Sequence, residues 1–199
     1  MPLLFPNARS DAMEVTYQLE REDYWQFNKF VINRTPALKR KVAFNLLSPG
    51  VIWLGVFWFL HLPLAAYIFL NLAICACWPF YFFPEMKRAT IKQAEMVPGA
   101  LGQHTLIISP EHLRQMSSVS ESTVGWHNFT ELTEDSLYLL FFMSQRLAFI
   151  IPKRAFSTPG QAQTFLETAQ AYRQSALDGT TPVLPSIPET WPPAPQRII

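Results

Sequence analysis

The longest apolar pattern in the chain runs from Val42 to Phe83, 42 residues without an Asp, Glu, Lys or Arg. Its strongly polar side chains are Asn45, Ser48, His61 and Asn71. At about 1.5 Å per residue, one helix of that length would be roughly twice as long as a ~30 Å hydrocarbon core. Proline lacks the N–H for an interior helix bond and turns the residue before it away from helix. His61-Leu62-Pro63 therefore predicts an interfacial turn, leaving two pieces, 42–60 and 64–83. Each is close to the ~20 residues that a membrane span requires. A soluble core helix would show a polar face, and this run has none. The pattern predicts a transmembrane helical hairpin.

Outside that run the period changes several times. Residues 13–20, MEVTYQLE, alternate Val15, Tyr17 and Leu19 with Thr16 and Gln18, the signature of a half-buried strand. Residues 21–34 place Tyr24, Phe27, Phe30 and Val31 at helical spacing, and Pro36 ends the segment. Residues 84–97 read as a short polar helix closed by Pro98-Gly99. Strands are then expected at 104–109, at 112–118 with 121–127 as a hairpin ending at Trp126, and at 136–143 and 146–151. Ser144-Gln145 suggests a tight link between the last two. Thr158-Pro159-Gly160-Gln161 resembles a capping box with proline at the first helical position. Ala162, Phe165, Leu166, Ala169 and Tyr172 mark one stripe of the helix that follows, and Asp178-Gly179 stops it. From Thr180 the chain holds six prolines in twenty residues, which predicts an extended, disordered tail. Its P-x-x-P spacing, Pro182 to Pro185, is the form a proline-binding groove accepts.

The expected fold is thus an α+β membrane protein. A two-helix transmembrane hairpin accompanies a small antiparallel β-barrel or sandwich capped by a C-terminal helix. The segments are a flexible N-terminus 1–12, a strand and helix 13–41 that join the cytoplasmic domain, and the hairpin 42–83. A connecting helix or linker 84–99, a β domain with its helix 100–177 and the Pro-rich tail 178–199 complete the chain. No signal peptide is read at 1–12. A single strand cannot bury its apolar face, so 13–20 is expected to pair with the sheet built by 104–151.

Charge decides the orientation. Arg34, Lys39, Arg40 and Lys41 precede the first span, and Lys87, Arg88 and Lys92 follow the second; the turn between has no Lys or Arg. Basic residues stay on the cytoplasmic side, so both termini are expected there. The net charge of +1 gives no basic field of the kind that nucleic-acid binders show. Cys75 and Cys77 lie in the second span as small apolar residues; a thiolate metal site would need more of them.

Chemistry is sparse. G-x-G-x-x-G, the Walker A loop and G-x-S-x-G do not occur. His61, His104, His112 and His127 show no H-x-x-x-H pair, although His104 and His112 could meet across a hairpin. His61 would serve as a proton relay only inside the membrane, and a turn makes it a wetted interfacial residue. Glu131, Glu134 and Asp135 are the densest carboxylate group, read as a solvated loop rather than an acid–base pair. Trp126 is either core or a platform on which a ligand stacks. Lys153 and Arg154, with Lys39, Arg40, Lys41, Lys87 and Arg88, form a possible basic collar for membrane or partner contact, at about 1 kcal/mol per charge near an anionic surface. The alternative for Lys153 and Arg154 is a merely solvated strand end.

The stretch GQHTLIISPEHLRQMSSVSESTVGWHNFTEL, then LYLLFF, then AFIIPKRAF and a closing helix, resembles the C-terminal domain of the YcxB-like family. YQLEREDYWQFNKF and the double span also fit that family's layout, so the resemblance covers about 13–177. It implies a multi-pass protein of the bacterial inner membrane with a domain similar to pleckstrin-homology folds, and it implies no reaction. Motifs and resemblance together lead to a non-enzymatic, membrane-anchored interaction module without cofactor or metal, whose partners are the bilayer and a membrane or cytoplasmic protein. The alternative is a membrane enzyme or transporter accessory subunit.

Overall fold

The alternation at the N-terminus does make a strand. β1 (Met13–Leu19) buries Met13, Val15, Tyr17 and Leu19 and leaves Thr16 and Gln18 exposed. The computed structural model describes residues 12–60 and 63–182. Residues 1–11, the expected turn residues His61 and Leu62, and 183–199 with most of the expected tail lie outside the described residues. The described chain divides into two bodies. One holds the residues up to Asp23 and those from Val97 onward; the other is Tyr24–Met96.

In the first body β1 pairs antiparallel with β2 (Gly102–Ile108), placing Tyr17 opposite His104 and Val15 opposite Leu106. The expected long-range pairing is therefore formed. β3 (His112–Ser117) and β4 (Glu121–Gly125) complete a four-stranded sheet in the order β1-β2-β3-β4. A second sheet runs β5 (Glu131–Glu134), β6 (Tyr138–Phe142), β7 (Ala148–Pro152), also antiparallel. The strands make two sheets, and a closed barrel is not found among the described residues. β5 falls where the sequence suggested a loop; its single buried residue, Leu132, is too short a pattern to reveal period two. The β6–β7 link is also wider than a two-residue turn. Met143 and Ser144 both donate backbone N–H groups to the Leu147 carbonyl, a loop that avoids the positive φ a tight turn demands without glycine.

α1 (Arg21–Arg34) starts directly after β1, and α4 (Pro159–Asp178) closes the domain. The α4 cap is the one expected: Thr158 Oγ1 accepts from Gln161 N at 3.2 Å, with Pro159 at the first position. Gly179 ends the helix at φ 66°, a left-handed conformation that glycine adopts without steric cost. The whole stripe Ala162, Phe165, Leu166, Ala169 and Tyr172 is buried. Phe165 stacks on Phe141 at 6.3 Å and Tyr172 meets Trp126 at 5.8 Å, so α4, the second sheet and the turn after β4 share one aromatic core.

The second body is helical. α2 (Pro36–Leu60) already includes the basic cluster, and α3 (Leu64–Glu95) runs through Pro79 and Pro84 without a break. The polar helix expected after residue 83 is thus the continuation of α3. Among the described residues α3 is the one helix long and apolar enough to cross a membrane, and none of its most apolar stretch is buried. Phe44, Val51, Phe59, Phe69, Leu72 and Phe80 are exposed on α2 and α3.

Candidate functional site

Two polar clusters stand out in the first body, neither predicted from the sequence. The first is built on Asp23, in the first turn of α1 and only 2% exposed. Arg154, in the single 3-10 turn after β7, reaches it with both ends of its guanidinium: Nη1 donates to Oδ1 at 2.7 Å and Nη2 to Oδ2 at 2.6 Å. Nη2 also donates to the Gln18 carbonyl at 3.1 Å. Tyr138 Oη donates to Oδ1 at 2.8 Å, and the Glu20 amide donates to Oδ2 at 2.8 Å. Burial alone would raise the Asp23 carboxyl, but these donors outweigh it and hold the group below the ordinary carboxylate value. Burial and the neighbouring carboxylate push the Tyr138 hydroxyl up to about 12, and Asp23 raises Arg154 further. The cluster ties the end of β1 to β6 and to the turn after β7. Its chemistry is that of a clamp, since every member is engaged by another.

The second cluster centres on His104, 3% exposed, whose ring stacks on Tyr17 with centroids 5.7 Å apart. Gln115 Nε2 lies 2.9 Å from its Nδ1. Nε2 is buried without a well-formed hydrogen bond, although the Ala100 carbonyl lies near enough to favour the protonated ring a little. Burial dominates and holds the imidazole below its ordinary value of 6.5. The unfolded chain thus binds the proton more readily than the folded one. Stability from this residue is complete above about pH 6.5 and falls as pH drops towards the lower folded value. Urea titrations at pH 7.5 and 5.5 should show that loss in the wild type and not in His104→Gln; an equal slope in both would remove His104 as its source.

The residues singled out from the sequence are distributed differently. Lys39, Arg40 and Lys41 are exposed on the first turns of α2, Lys87 is half-buried, and Arg88 Nη1 pairs with Glu85 at 2.5 Å. Lys153 and Arg154 are not a free strand end. Lys153 Nζ meets Glu134 Oε2 at 2.8 Å, and Arg154 is held by Asp23. Glu131 and Glu134 belong to β5 and Asp135 follows it, so this carboxylate group is spread along a strand. His104 and His112 do not face each other, because the register sets His104 against Ser117 and His112 against Gly125. His127 is exposed in the 3-10 turn Trp126–Asn128, and His61 is outside the described residues. Among the described residues no group of three or more His, Cys, Asp or Glu is placed to hold a metal ion. Trp126 opens that 3-10 turn rather than ending a strand; it is 1% exposed, and its indole N–H donates to the Ser109 carbonyl at 2.8 Å.

In the helical body Ser48, Asn71 and the Asn45 carbonyl of the apolar run find partners. Pro49 has no N–H for the Asn45 carbonyl, which would otherwise be left open in the α2 ladder. That carbonyl accepts instead from Ser48 Oγ at 2.9 Å and from the Trp78 indole of α3 at 3.2 Å. One turn further along α2, the Gly50 carbonyl accepts from Asn71 Nδ2 at 3.4 Å, and Asn71 also reaches Tyr67 Oη and Cys75 Sγ. Residue 45 meets 78 while 50 meets 71, so α2 and α3 run antiparallel. A Cβ on Gly50 would lie 3.5 Å from Cys75 Sγ, which shows how closely the helices approach there.

Neither a curated protein nor a solved structure matches the chain. Residues 108–169, which contain β3 to β7 and the first half of α4 around Trp126, Phe141 and Phe165, match the family model described as YcxB-like protein.

Proposed function

We propose that this chain is a non-enzymatic, membrane-anchored interaction module. α2 and α3 form a hairpin in the bacterial inner membrane, and the YcxB-like domain works at its cytoplasmic face on a protein partner or lipid headgroups. The observation that carries the reading is the satisfaction of two polar groups inside the uncharged run. The carbonyl freed by Pro49 and the Asn71 amide find partners across the hairpin, while Phe44, Val51, Phe69 and Phe80 face outward. In lipid every backbone polar group needs an internal partner, and an outward apolar surface carries no penalty. A transporter subunit would need ionisable groups at membrane depth, and the sequence places no Asp, Glu, Lys or Arg between 42 and 83. Exposed Lys39, Arg40 and Lys41 then lie where the positive-inside rule puts them, next to anionic headgroups.

The test is topological. Reporter fusions after residues 38 and 178 should both register the cytoplasm, a fusion at Leu62 should register the opposite side, and the full chain should resist alkaline extraction from membranes. Termini on opposite sides would overturn the hairpin, and release by alkali would overturn the anchor.

A further inference from the structure

We propose that β4 is a docking edge at which two copies of this chain pair antiparallel, about a two-fold axis through Thr123. The strand edges of the YcxB-like domain are treated unequally. β1 lies against β7 and the turn after it, and Arg154 donates to the outward Gln18 carbonyl. The β5 edge is covered by α4: Gln170 donates to the Leu132 carbonyl at 3.3 Å, and Arg173 to those of Phe129 and Thr130 at 2.8 and 2.9 Å. Among the described residues β4 has no such cover. Its one strand partner among the described residues is β3, and Glu121, Ser122 and Thr123 are exposed.

Exposed edges are normally guarded by lysine, proline or a bulge. β4 reads Glu121-Ser-Thr-Val-Gly125, with neither lysine nor proline. Its single charge is already neutralised, because Arg114 Nε on β3 donates to Glu121 Oε1 at 2.6 Å. The edge is self-complementary. Centred on Thr123, an antiparallel partner sets Thr123 against Thr123, Ser122 against Val124 and Glu121 against Gly125. No like charges meet, and the central hydroxyls form a favourable cross-strand pair. An isologous two-fold contact of this kind closes at two copies. The chain's own C-terminal segment is a poor rival. Its prolines at 182, 185, 188, 192, 193 and 195 leave no run of five residues with the N–H groups that a β4 partner needs.

Five residues a side make a small interface, and free copies in solution would associate weakly through it. Anchoring changes this, because copies held in one membrane share a side and a high local concentration. The dimer's occupancy rests on the membrane-anchored reading above, and the two are tested by separate readouts.

The experiment uses the full chain in its native membranes with Cys75→Ala and Cys77→Ala. Thr123→Cys should give a disulfide-linked dimer on mild oxidation, since facing Cα atoms in an antiparallel pair lie about 4.5–5.5 Å apart, within disulfide reach. Leu147→Cys, on the exposed β6–β7 loop, should give none. Ser122→Cys and Val124→Cys should link when the two variants are co-expressed and neither should link alone. Adding Thr123→Lys to both should cut that mixed product about fivefold, the upper end of a cross-strand pair effect, and Thr123→Glu in one of the two should restore it. Equal linking at 123 and 147, or no mixed 122–124 product, overturns the dimer. Loss of the chain from alkali-washed membranes overturns the anchoring instead.

Discussion

Arg154→Ala should destabilise the YcxB-like domain by about 3–5 kcal/mol, the usual result of leaving a buried charge without its partner. Asp23→Ala should cost less. The asymmetry follows from exposure: the Asp23 side chain is 3% exposed and the Arg154 side chain 50%. An orphaned carboxylate stays in a dry site, whereas an orphaned guanidinium turns into water. Removing Asp23 still strands the buried Tyr138 hydroxyl and the Glu20 amide, which sets a cost of about 1–3 kcal/mol. Arg154→Lys should behave nearly like alanine, since an ammonium cannot supply the two-point fork and reach the Gln18 carbonyl together. Protease resistance of the 97–178 region across a urea series, in detergent-solubilised full chain, measures each variant. The pair Asp23→Leu with Arg154→Met should recover part of the loss, the coupling that a shared cluster implies. Equal costs for the two alanine variants would mean that burial does not govern the cluster. Acid adds a second signature. The folded Asp23 pKa lies below the ordinary 3.8, so its contribution is full above that value and is lost as pH falls through the lower, folded one. Asp23→Asn should lack that acid-labile part.

What the sequence could reveal depended on how local each signal was. Period two at Val15, Tyr17 and Leu19 made β1 legible, and the need to bury that face pointed to a partner beyond residue 100, which is β2. The α4 stripe and its Thr158 cap were legible for the same reason, since all their residues lie within one helix. β5 was not, because one buried Leu132 among polar neighbours has no period. Arg154 and Asp23 stand 131 positions apart, and each alone resembles a solvated terminus; only the fold makes them a pair. The buried His104 was hidden in the same way, since its opposite number Tyr17 comes from a strand far upstream. Asn45 and Asn71 could be picked out as the polar exceptions in the apolar run. The link from the Pro49-freed carbonyl to the Trp78 indole could not, because it depends on how two helices are set against each other.

Trp126 is where core and ligand-stacking roles make opposite predictions. Its ring is 1% exposed, touches Phe129 and Tyr172 with centroids 5.6 and 5.8 Å away, and spends its one N–H on the Ser109 carbonyl. A stacking platform would need an open face, and this ring has none. Trp126→Ala should therefore cost about 3–5 kcal/mol, combining lost burial with a cavity beside Phe129 and the Tyr172 side chain of α4. Trp126→Phe keeps an aromatic body but leaves the Ser109 carbonyl without its donor, and should cost about 1–3 kcal/mol. Urea denaturation of the full chain, read by protease resistance of the domain, separates the two steps. A platform residue would show little loss in either variant and a loss of partner capture instead. That outcome would move Trp126 from the core to the binding surface, and it would require the α4 contact through Tyr172 to open when the partner binds.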